Sequence, residues 1–235
     1  MGFLVKKYHP RQVIKEACTI KERNQIIKKT YKTYYHRQNG SYTGDYLLFL
    51  DIETDGILGE LGTEDYIPNI KQLACIVFKT KDFFKLKSIV DFPLSYEYKN
   101  LNSHKDYIIR FIELYKTYEY PCLIAHNGCA FDFKIIISHI NRYVPKNSLT
   151  LKKIRAFDTY VAIRQSLTKQ NKNKCPRQSL KNVSLFMRHS INYEQHSYLA
   201  NFAHQALPDC KMMSLWVHAL RYHLNWNRYT GYCDI

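Results

Sequence analysis

The sequence lacks the features of membrane-spanning and disulfide-stabilised proteins. No apolar run approaches the roughly 20 residues that a helix needs to cross a bilayer. The seven cysteines are odd in number, no two of them form a Cys-x-x-Cys pair, and no secretory signal is recognisable. We therefore expect no membrane role, no zinc site and no disulfide framework. A protein with reduced thiols is expected in the cytoplasm or the nucleus, and not as a secreted protein.

Acidic residues are scarce, and they are concentrated in one part of the chain. Lys and Arg number 35, against 20 Asp and Glu. Residues 1–44 contain 10 basic and 2 acidic residues, and residues 142–189 contain 12 basic residues and 1 acidic residue. Residues 45–141, in contrast, contain 10 basic and 14 acidic residues. Basic flanks around an acidic centre are expected when a polyanion such as nucleic acid is drawn to a cation-binding site. The alternative is a basic soluble protein without such a partner.

The length fits one α/β domain with an extension. A chain of 235 residues can bury a sizeable core. The turn-forming residues Asn39-Gly40-Ser41 and Gly44 predict a boundary. This boundary divides the chain into a basic N-terminal extension, residues 1–44, and a domain, residues 45–235. The extension is interpreted as a helix against the domain, an arm on nucleic acid or a solvated leader, and the sequence leaves these alternatives open.

Residues 46–57, YLLFLDIETDGI, predict a buried strand that ends in acids. Four large apolar residues, 47–50, lead directly into Asp51 and Glu53. Side chains alternate between the two faces of a strand, so these two carboxylates project from one face at its carboxyl end. Paired carboxylates repel unless a cation lies between them, and hard oxygen ligands suit Mg²⁺ or Mn²⁺. The alternative is a strand that simply ends in surface acids.

Hydrophobic periodicity predicts further strands and helices along the domain. Short apolar runs predict strands two and three at residues 70–80 and 83–92, in an antiparallel meander with the first strand. A stripe with 3.6-residue spacing predicts a helix with Ser103 as its N-cap. The other predicted elements are a strand at 120–127, a helix at 131–142, a strand ending at Asp158, a basic loop at 168–177 and a helix capped by Ser179.

Two further acids lie near predicted helix starts. Asp132 is in the first turn of its helix, where a carboxylate also interacts favourably with the helix dipole. Pro208 suits the first position of a helix, which places Asp209 in the first turn and His204 in the preceding loop. Each of these is a weak signal alone. With the paired acids of the first strand, they form three separated groups at strand or helix ends, which two-metal phosphodiester hydrolysis requires.

The order and spacing of these residues resemble those of the DEDD superfamily of 3′-to-5′ exonucleases. Asp51-Ile52-Glu53-Thr54-Asp55-Gly56-Ile57 resembles the first motif of that family. His126-Asn127-Gly128 with Phe131-Asp132-Phe133 resembles the second, in the form of the three-prime repair exonucleases. His204-Gln205-Ala206-Leu207-Pro208-Asp209 matches the third motif of the branch whose general base is a histidine five residues before the last acid. The resemblance covers residues 47–220 and leaves residues 1–44 outside.

The resemblance implies a fold and a set of functional residues. The implied fold is ribonuclease-H-like α/β, with a mixed five-stranded sheet whose first three strands are antiparallel and with helices on both sides. The implied cofactor is Mg²⁺, two ions per site, for which Mn²⁺ can substitute. Asp51 would bridge both ions, Glu53 and Asp209 would complete one site, and Asp132 would hold the second ion, with His204 as the general base. The residues implied to bind substrate are Glu53, Thr54, Ile57, Phe131 and His204, and core packing is the alternative for Ile57 and Phe131.

The resemblance also implies a reaction, the hydrolysis of phosphodiester bonds from the 3′ end of single-stranded or frayed DNA with release of nucleoside 5′-monophosphates. An exoribonuclease is the first alternative, and a nucleic-acid-binding module without catalysis is the second. Basic residues between Lys146 and Arg177, interleaved with Phe157 and Tyr160, are expected to hold a single strand by charge and stacking. Asp55 stands where the first motif commonly has Thr, which adds a negative charge beside the implied metal site.

The sequence leaves the oligomeric state and the source of the protein open. A homodimer is one of the oligomeric states that remain. The high content of Lys, Ile, Asn and Tyr indicates an AT-rich genome. A viral protein in a host cell is one expectation that follows.

Overall fold

The fold is built around one mixed sheet. The computed structural model describes residues 36–37, 44–56, 67–92, 94–145, 153–166, 199, 201–222, 224, 226 and 230–234. The strands in this part of the chain are β1 (His36–Arg37), β2 (Tyr46–Thr54), β3 (Ile70–Lys79), β4 (Ser95–Lys99), β5 (Cys122–Ala125), β6 (Lys153–Asp158) and β7 (Thr230–Asp234). They lie in the order β1-β7-β6-β5-β2-β3-β4.

Five of these strands form the sheet that was predicted. β2 pairs antiparallel with β3 and β3 with β4, whereas β5 is parallel to β2 and β6 is parallel to β5. The mixed sheet with three initial antiparallel strands is therefore confirmed. β7 adds to β6 and β1 adds to β7, both antiparallel, so the sheet extends beyond the five predicted strands. β1 lies within residues 1–44, and the domain boundary after Gly44 stays a prediction.

β2 lies between β5 and β3, and it is buried on both faces because core side chains pack against each side of the sheet there. Residues 47–50 have no solvent exposure. Leu47 and Phe49 belong to the core on one side of the sheet, and Leu48 and Leu50 to the core on the other. A continuous apolar run is typical of a strand that is covered on both sides.

Helices cover both faces of the sheet, as predicted. One face packs against α2 (His104–Thr117) and α3 (Asp132–Tyr143), which contribute Phe111 and Ile136 to the core. The opposite face packs against α1 (Thr80–Lys85), α4 (Thr159–Ser166) and α5 (Ala206–Ala219). Trp216 of α5 is fully buried on that side. Among the described residues, no helix has the length and apolar character that crossing a membrane requires.

α2 begins at the predicted cap. The Ser103 hydroxyl oxygen accepts a hydrogen bond from the Asp106 backbone N–H at 3.2 Å, and the Asp106 carboxylate accepts one from the Ser103 backbone N–H at 3.1 Å. This reciprocal capping box satisfies two N–H groups that have no partner within the helix. The prediction of Ser103 as N-cap is confirmed.

The predicted strand at residues 83–92 is wrong. Thr80–Lys85 forms α1, and the third strand of the meander is β4. Phe83 is fully buried, and its ring contacts the rings of Phe49 and Phe78 at centroid distances of 5.5 and 5.2 Å. This tertiary packing overrides the strand preference of the aromatic residues. The signal for β4 was the alternation of Tyr96 and Tyr98 with charged residues.

Several predictions fall outside the described residues. These are the helix or arm within residues 1–35, the position of Ile57, the basic loop at 168–177 and the helix capped by Ser179. Four cysteines within the described part are buried free thiols, namely Cys75, Cys122, Cys129 and Cys210. Burial raises the pKa of Cys122 to about 12, so that thiol stays protonated.

Candidate active site

The first acids of the site lie at the carboxyl end of β2. Asp51 and Glu53 follow Leu47 and Phe49 in alternation, so they lie on the face that α5 covers. Both residues are half-buried. Asp51 Oδ2 is itself buried and has no hydrogen-bond partner among the described residues. Such an oxygen costs free energy unless a cation compensates it.

The start of α3 supplies Asp132. This residue is 3% exposed, and its Oδ1 accepts a hydrogen bond from the backbone N–H of Ile52 at 3.1 Å. Because Ile52 lies between Asp51 and Glu53, the bond ties the helix start to the paired acids of β2. The loop before α3 turns at Asn127, whose φ of +65° is in the left-handed region that Asn adopts more readily than most residues.

The start of α5 supplies Asp209. The Ala206 backbone N–H donates to Gln72 Oε1 at 3.2 Å, which fixes the first turn of α5 beside β3. The Cys210 thiol lies 3.6 and 3.3 Å from backbone carbonyl oxygens of β2 and β3. These contacts hold α5 across both strands. As a result, Asp209 is 7% exposed and close to Glu53.

α5 begins earlier than predicted. Ala206 is its first residue and Gln205 its N-cap, so Pro208 is the third residue of the helix and not the first. The proline is tolerated because N–H groups of the first turn have no intrahelical partner. Asp209 lies in the first turn and His204 lies before the helix, as predicted.

His204 is exposed in the turn before α5. Its φ is +71°, in the left-handed region. Its backbone N–H donates to Asp209 Oδ2 at 3.1 Å. Left-handed backbone costs roughly 1–2 kcal/mol for a residue with a side chain. The bond to Asp209 offsets part of this cost and keeps the imidazole next to the acids.

Three of the predicted site residues converge on one point. Glu53, His204 and Asp209 each offer a ligand atom, and these atoms all lie within 4.8 Å of one another. Asp51 interacts electrostatically with Glu53 and Asp209, and also with Asp132. The structure therefore places all five predicted catalytic positions in one region. Their catalytic roles stay predictions.

The acids of this region repel one another. Burial, followed by repulsion from neighbouring acids, raises the pKa of Asp51 well above its usual value. Burial is also the largest cause that raises the pKa of Asp132 to about 8 and that of Asp209 to about 7. Hydrogen bonds from backbone N–H groups to both carboxylates act in the opposite direction. Without a cation, Asp132 and Asp209 are therefore partly protonated near neutral pH.

The donor set fits a hard divalent cation. Asp51 Oδ2 and Asp209 Oδ1 are buried acceptors with no hydrogen-bond donor in the described part of the chain. Carboxylate oxygens are the ligands that Mg²⁺ and Mn²⁺ prefer. A cation held by these oxygens would offset both the burial cost and the mutual repulsion. Glu53 would complete the ligand set, because it lies within reach of Asp209.

The predicted substrate-binding residues in the described part of the chain have different local contacts. The Thr54 hydroxyl donates to the Gly56 carbonyl at 2.6 Å and closes the turn after β2. Phe131 is half-buried and packs against the core beside α3. Glu53 and His204 lie within the group that converges with Asp209. Contact of these residues with a nucleotide stays a prediction.

Asp55 uses its charge to close the loop after β2. Its two carboxylate oxygens accept hydrogen bonds from the backbone and the side-chain N–H of Asn69, at 2.9 and 2.8 Å. Its own backbone N–H donates to the Asn69 carbonyl at 3.1 Å. Slight burial opposes ionisation, but the bonds from Asn69 prevail and lower the pKa of Asp55. Asp55, which occupies the position where the first motif commonly has Thr, thus joins the two ends of this loop by hydrogen bonds to Asn69.

Phe157 cannot stack on nucleic acid, which corrects a prediction from the sequence. It is fully buried, and its ring stacks on Trp226 at a centroid distance of 4.3 Å. Tyr160 is half-buried and remains a candidate. Phe157 near the end of β6 and Tyr160 near the start of α4 thus have different surroundings. The sequence pattern does not show this difference.

Gln72 and Asp158 support the site, a role that was not predicted for either residue. Gln72 stands opposite Glu53 in the β2–β3 register, and it holds the start of α5. The register between β2 and β3 cannot be predicted from the sequence alone, because it depends on how the two strands pair. Asp158 ends β6, which is parallel to β5, so its position at the same sheet edge was readable from the sequence.

Metal-free protein is expected to lose stability as the pH rises from about 4 to about 8. Asp132 and Asp209 have pKa values of about 8 and about 7 in the folded state, above the unfolded value of about 3.9, so the folded state binds more protons in this window. Each group contributes stability at low pH that is lost as the pH passes its folded pKa, at up to about 1.4 kcal/mol per pH unit.

Thermal melts in EDTA and in Mg²⁺ measure this effect. The Tm in EDTA should fall across the window, and Mg²⁺ should raise the Tm more at pH 8 than at pH 5. The increase in Tm that Mg²⁺ causes is compared between pH 8 and pH 5. This comparison removes the contribution of titrating groups elsewhere in the protein. Equal shifts at both pH values would contradict the assignment of these acids to a cation site.

The fold and the acid group define a class of protein. The chain has a mixed sheet with an initial antiparallel meander, and carboxylates that could hold a metal ion are grouped near the carboxyl end of its first long strand. The sequence model of the RNase H superfamily matches residues 48–195, more than half of the 235 residues. The chain belongs to the RNase H superfamily, whose nucleases act on nucleic acid and typically use divalent metal ions. No curated protein matches the chain.

The family match covers part of the site. Asp51, Glu53 and Asp132 lie within residues 48–195. His204 and Asp209 follow the matched residues, so their place in the site rests on the geometry at the start of α5.

Proposed function

We propose that the protein is a metal-dependent 3′-to-5′ exonuclease of the DEDD type with a histidine as general base. The proposed reaction removes nucleoside 5′-monophosphates from the 3′ end of single-stranded or frayed DNA. The observation that carries the proposal is the grouping of Glu53, His204 and Asp209 within 4.8 Å, beside the buried Oδ2 of Asp51. An imidazole among metal-binding acids supports the branch of the DEDD family that uses a histidine.

The acids and the histidine have different tasks in this proposal. Asp51, Glu53, Asp132 and Asp209 would hold the divalent ions. When bound, such ions activate a water molecule and neutralise charge on the reacting phosphate and on the leaving oxygen. His204 is exposed, so its imidazole has access to water and can accept a proton. The backbone bond to Asp209 keeps this base beside the ligands.

A group of aromatic and basic side chains supports a single-stranded substrate. The guanidinium of Arg164 lies 6.0 Å from the centroid of the Tyr160 ring, and the His126 ring lies edge-on to the same tyrosine at 5.6 Å. His126 directly follows β5 and Tyr160 is the second residue after β6, and both strands run parallel to β2. They are therefore at the same edge of the sheet as the acids. Stacking and cation–π groups of this kind hold bases of single strands.

The preference for DNA rests on the resemblance of the second motif to the three-prime repair exonucleases. The test is a time course with 5′-labelled single-stranded DNA and with RNA of matched sequence, in Mg²⁺ and in EDTA. Circular single-stranded DNA serves as a control without ends. We expect a ladder that shortens by one nucleotide at a time from the 3′ end of the DNA, nucleoside 5′-monophosphates as products, and intact circles.

Three other outcomes would change the proposal. Faster shortening of RNA would make the protein an exoribonuclease. Cleavage of the circles would indicate an endonuclease and contradict the exonuclease assignment. Binding of both polymers without cleavage in either Mg²⁺ or Mn²⁺ would favour a nucleic-acid-binding module.

A further inference from the structure

The carboxylate of Asp158 is a buried acceptor for three backbone N–H groups. The residue ends β6 and is 1% exposed. Its Oδ1 accepts hydrogen bonds from Asn127 at 3.0 Å and from Tyr160 at 2.9 Å, and its Oδ2 accepts one from Cys129 at 3.0 Å. All three partners are donors, so both oxygens must act as acceptors. A carboxylate satisfies this arrangement, whereas an amide would direct an NH₂ group at one of the donors.

Two of the three donors belong to the loop that leads into α3. Within this loop, the N–H groups of Ala130 and Phe131 donate to the Asn127 carbonyl at 3.0 and 3.1 Å. Asn127 has the left-handed φ of +65°, which is unfavourable for most residues. The bond from its N–H to Asp158 therefore holds the loop in a conformation that the loop would not strongly prefer alone.

Close packing makes the loop sensitive to small changes. A Cβ atom at Gly128 would lie 2.7 Å from the Cβ of Ala125 and 2.8 Å from the ring of Phe133. The Phe133 backbone N–H donates to the Gly128 carbonyl at 2.9 Å, directly at the start of α3. A shift of the loop would therefore move the first turn of this helix. That turn contains Asp132.

The residue after Asp158 makes a second tie to the same segment. The Thr159 hydroxyl oxygen lies 3.1 Å from the Ala125 carbonyl, to which it donates. The same oxygen lies 2.9 Å from Nδ1 of His126. Because the hydroxyl has one proton, which it gives to the carbonyl, the Nδ1–H of His126 is the donor in the second bond. The junction of β6 and α4 thus contacts four of the five positions of the segment 125–129, all except Gly128.

We infer that Asp158 is a positioning residue of the metal site, which fixes the loop before α3 and thereby directs Asp132 toward β2. The inference rests on the metal site of the proposed function. Asp158 acts through the chain of contacts from Asn127 and Cys129 to Asp132, whose Oδ1 then meets the Ile52 N–H between the paired acids. Residues that orient metal ligands typically change metal affinity or activity by about 10- to 100-fold when mutated.

The test compares Asp158→Asn with the wild type and with Ile140→Val. Ile140 is buried in α3 at the end far from Asp132, so its truncation lowers stability modestly without altering the loop. Titration calorimetry of metal-free protein with Mn²⁺ should show a dissociation constant weakened by about 10- to 100-fold in Asp158→Asn and unchanged in Ile140→Val. High Mn²⁺ should restore most of the hydrolysis rate of Asp158→Asn, with KM for the nucleic acid unchanged.

Hydrogen exchange of the metal-free wild type gives a second measurement that needs no variant. The amides of Asn127 and Cys129 should exchange slowly before metal is added, because Asp158 already holds them. Fast exchange that becomes slow only with Mn²⁺ would overturn the inference. Wild-type Mn²⁺ affinity in folded Asp158→Asn would overturn it as well, and would leave Asp158 a structural residue only.

The failure of the inference and the failure of the proposed function are distinguishable. A wild type that binds Mn²⁺ but hydrolyses no nucleic acid would contradict the exonuclease, while the calorimetric comparison would still decide the role of Asp158. A wild type that hydrolyses DNA alongside an Asp158→Asn variant with unchanged Mn²⁺ affinity would retain the exonuclease and reject the inference. A wild type that binds no Mn²⁺ would reject both.

Discussion

Asp51→Asn is expected to abolish metal-dependent hydrolysis and, at the same time, to raise the Tm of the metal-free protein. The amide removes one negative ligand from the ion site, and a loss of about 4 kcal/mol of transition-state stabilisation lowers the rate by roughly three orders of magnitude. Asp51 is also repelled by Asp132, Asp209 and Glu53, and its buried Oδ2 has no partner in the described part of the chain. The Asn side chain removes this repulsion and can donate to the neighbouring carboxylates.

The matched control is Asp45→Asn. Asp45 is exposed next to the opposite end of β2, so the control makes the same change of charge at the same strand, away from the site. It should leave both the rate and the Tm close to those of the wild type. Hydrolysis by Asp51→Asn at the wild-type rate would show that the site is assigned to the wrong residues. If the Tm of Asp51→Asn in EDTA were lower than that of the wild type, the carboxylates of the site would not repel one another in the absence of a cation.

His204→Asn is expected to lower the turnover number by about 100- to 10 000-fold, the usual effect of losing a general base. Asn is the preferred replacement because it tolerates the left-handed backbone that His204 adopts. The backbone N–H of residue 204 can then still donate to Asp209, so the acids keep their positions. Single-turnover rates and the Mg²⁺ concentration for half-maximal rate should be measured together.

Two comparisons distinguish a role of His204 as general base from a structural role and from a role as metal ligand. His204→Ala should lose as much rate as His204→Asn, and it should also lose stability because Ala is strained at φ +71°. The imidazole also lies within 4.8 Å of the ligand atoms of Glu53 and Asp209. If His204→Asn raises the Mg²⁺ requirement by the same factor by which it lowers the rate, His204 is a metal ligand and not a base.

The central strand of the sheet was predictable from the sequence. The apolar run at 47–50 requires cover on both faces, and the acids that follow it mark the carboxyl end of the strand. The cap of α2 was readable because its hydrogen bonds are local, between Ser103 and Asp106. The topology came from the resemblance to DEDD exonucleases, and the strand pairings confirm it.

Long-range packing explains what the sequence did not reveal. Phe83 becomes helical because its ring packs against those of Phe49, Phe78 and His218, which come from β2, β3 and α5. The residues that hold the site in place also contact segments that are far away in the sequence. Asp158 is 29 residues from Cys129, and Gln72 is 134 residues from Ala206. No local pattern encodes such pairs, so the sequence showed the acids, and the place of Asp158 at the same edge of the sheet, but not the hydrogen bonds through which Asp158 and Gln72 support the site.

The late position of α5 in the chain has a consequence for biosynthesis. Asp51, Glu53 and Asp132 are translated early, whereas His204 and Asp209 come from the last long helix and the turn before it. A growing chain that ends before α5 has three of the acids but neither the base nor the fourth acid. Under the proposed function, a growing chain that ends before α5 would therefore be unable to degrade the nucleic acids that surround it, and hydrolysis would begin only after α5 has been synthesised and has folded onto the sheet.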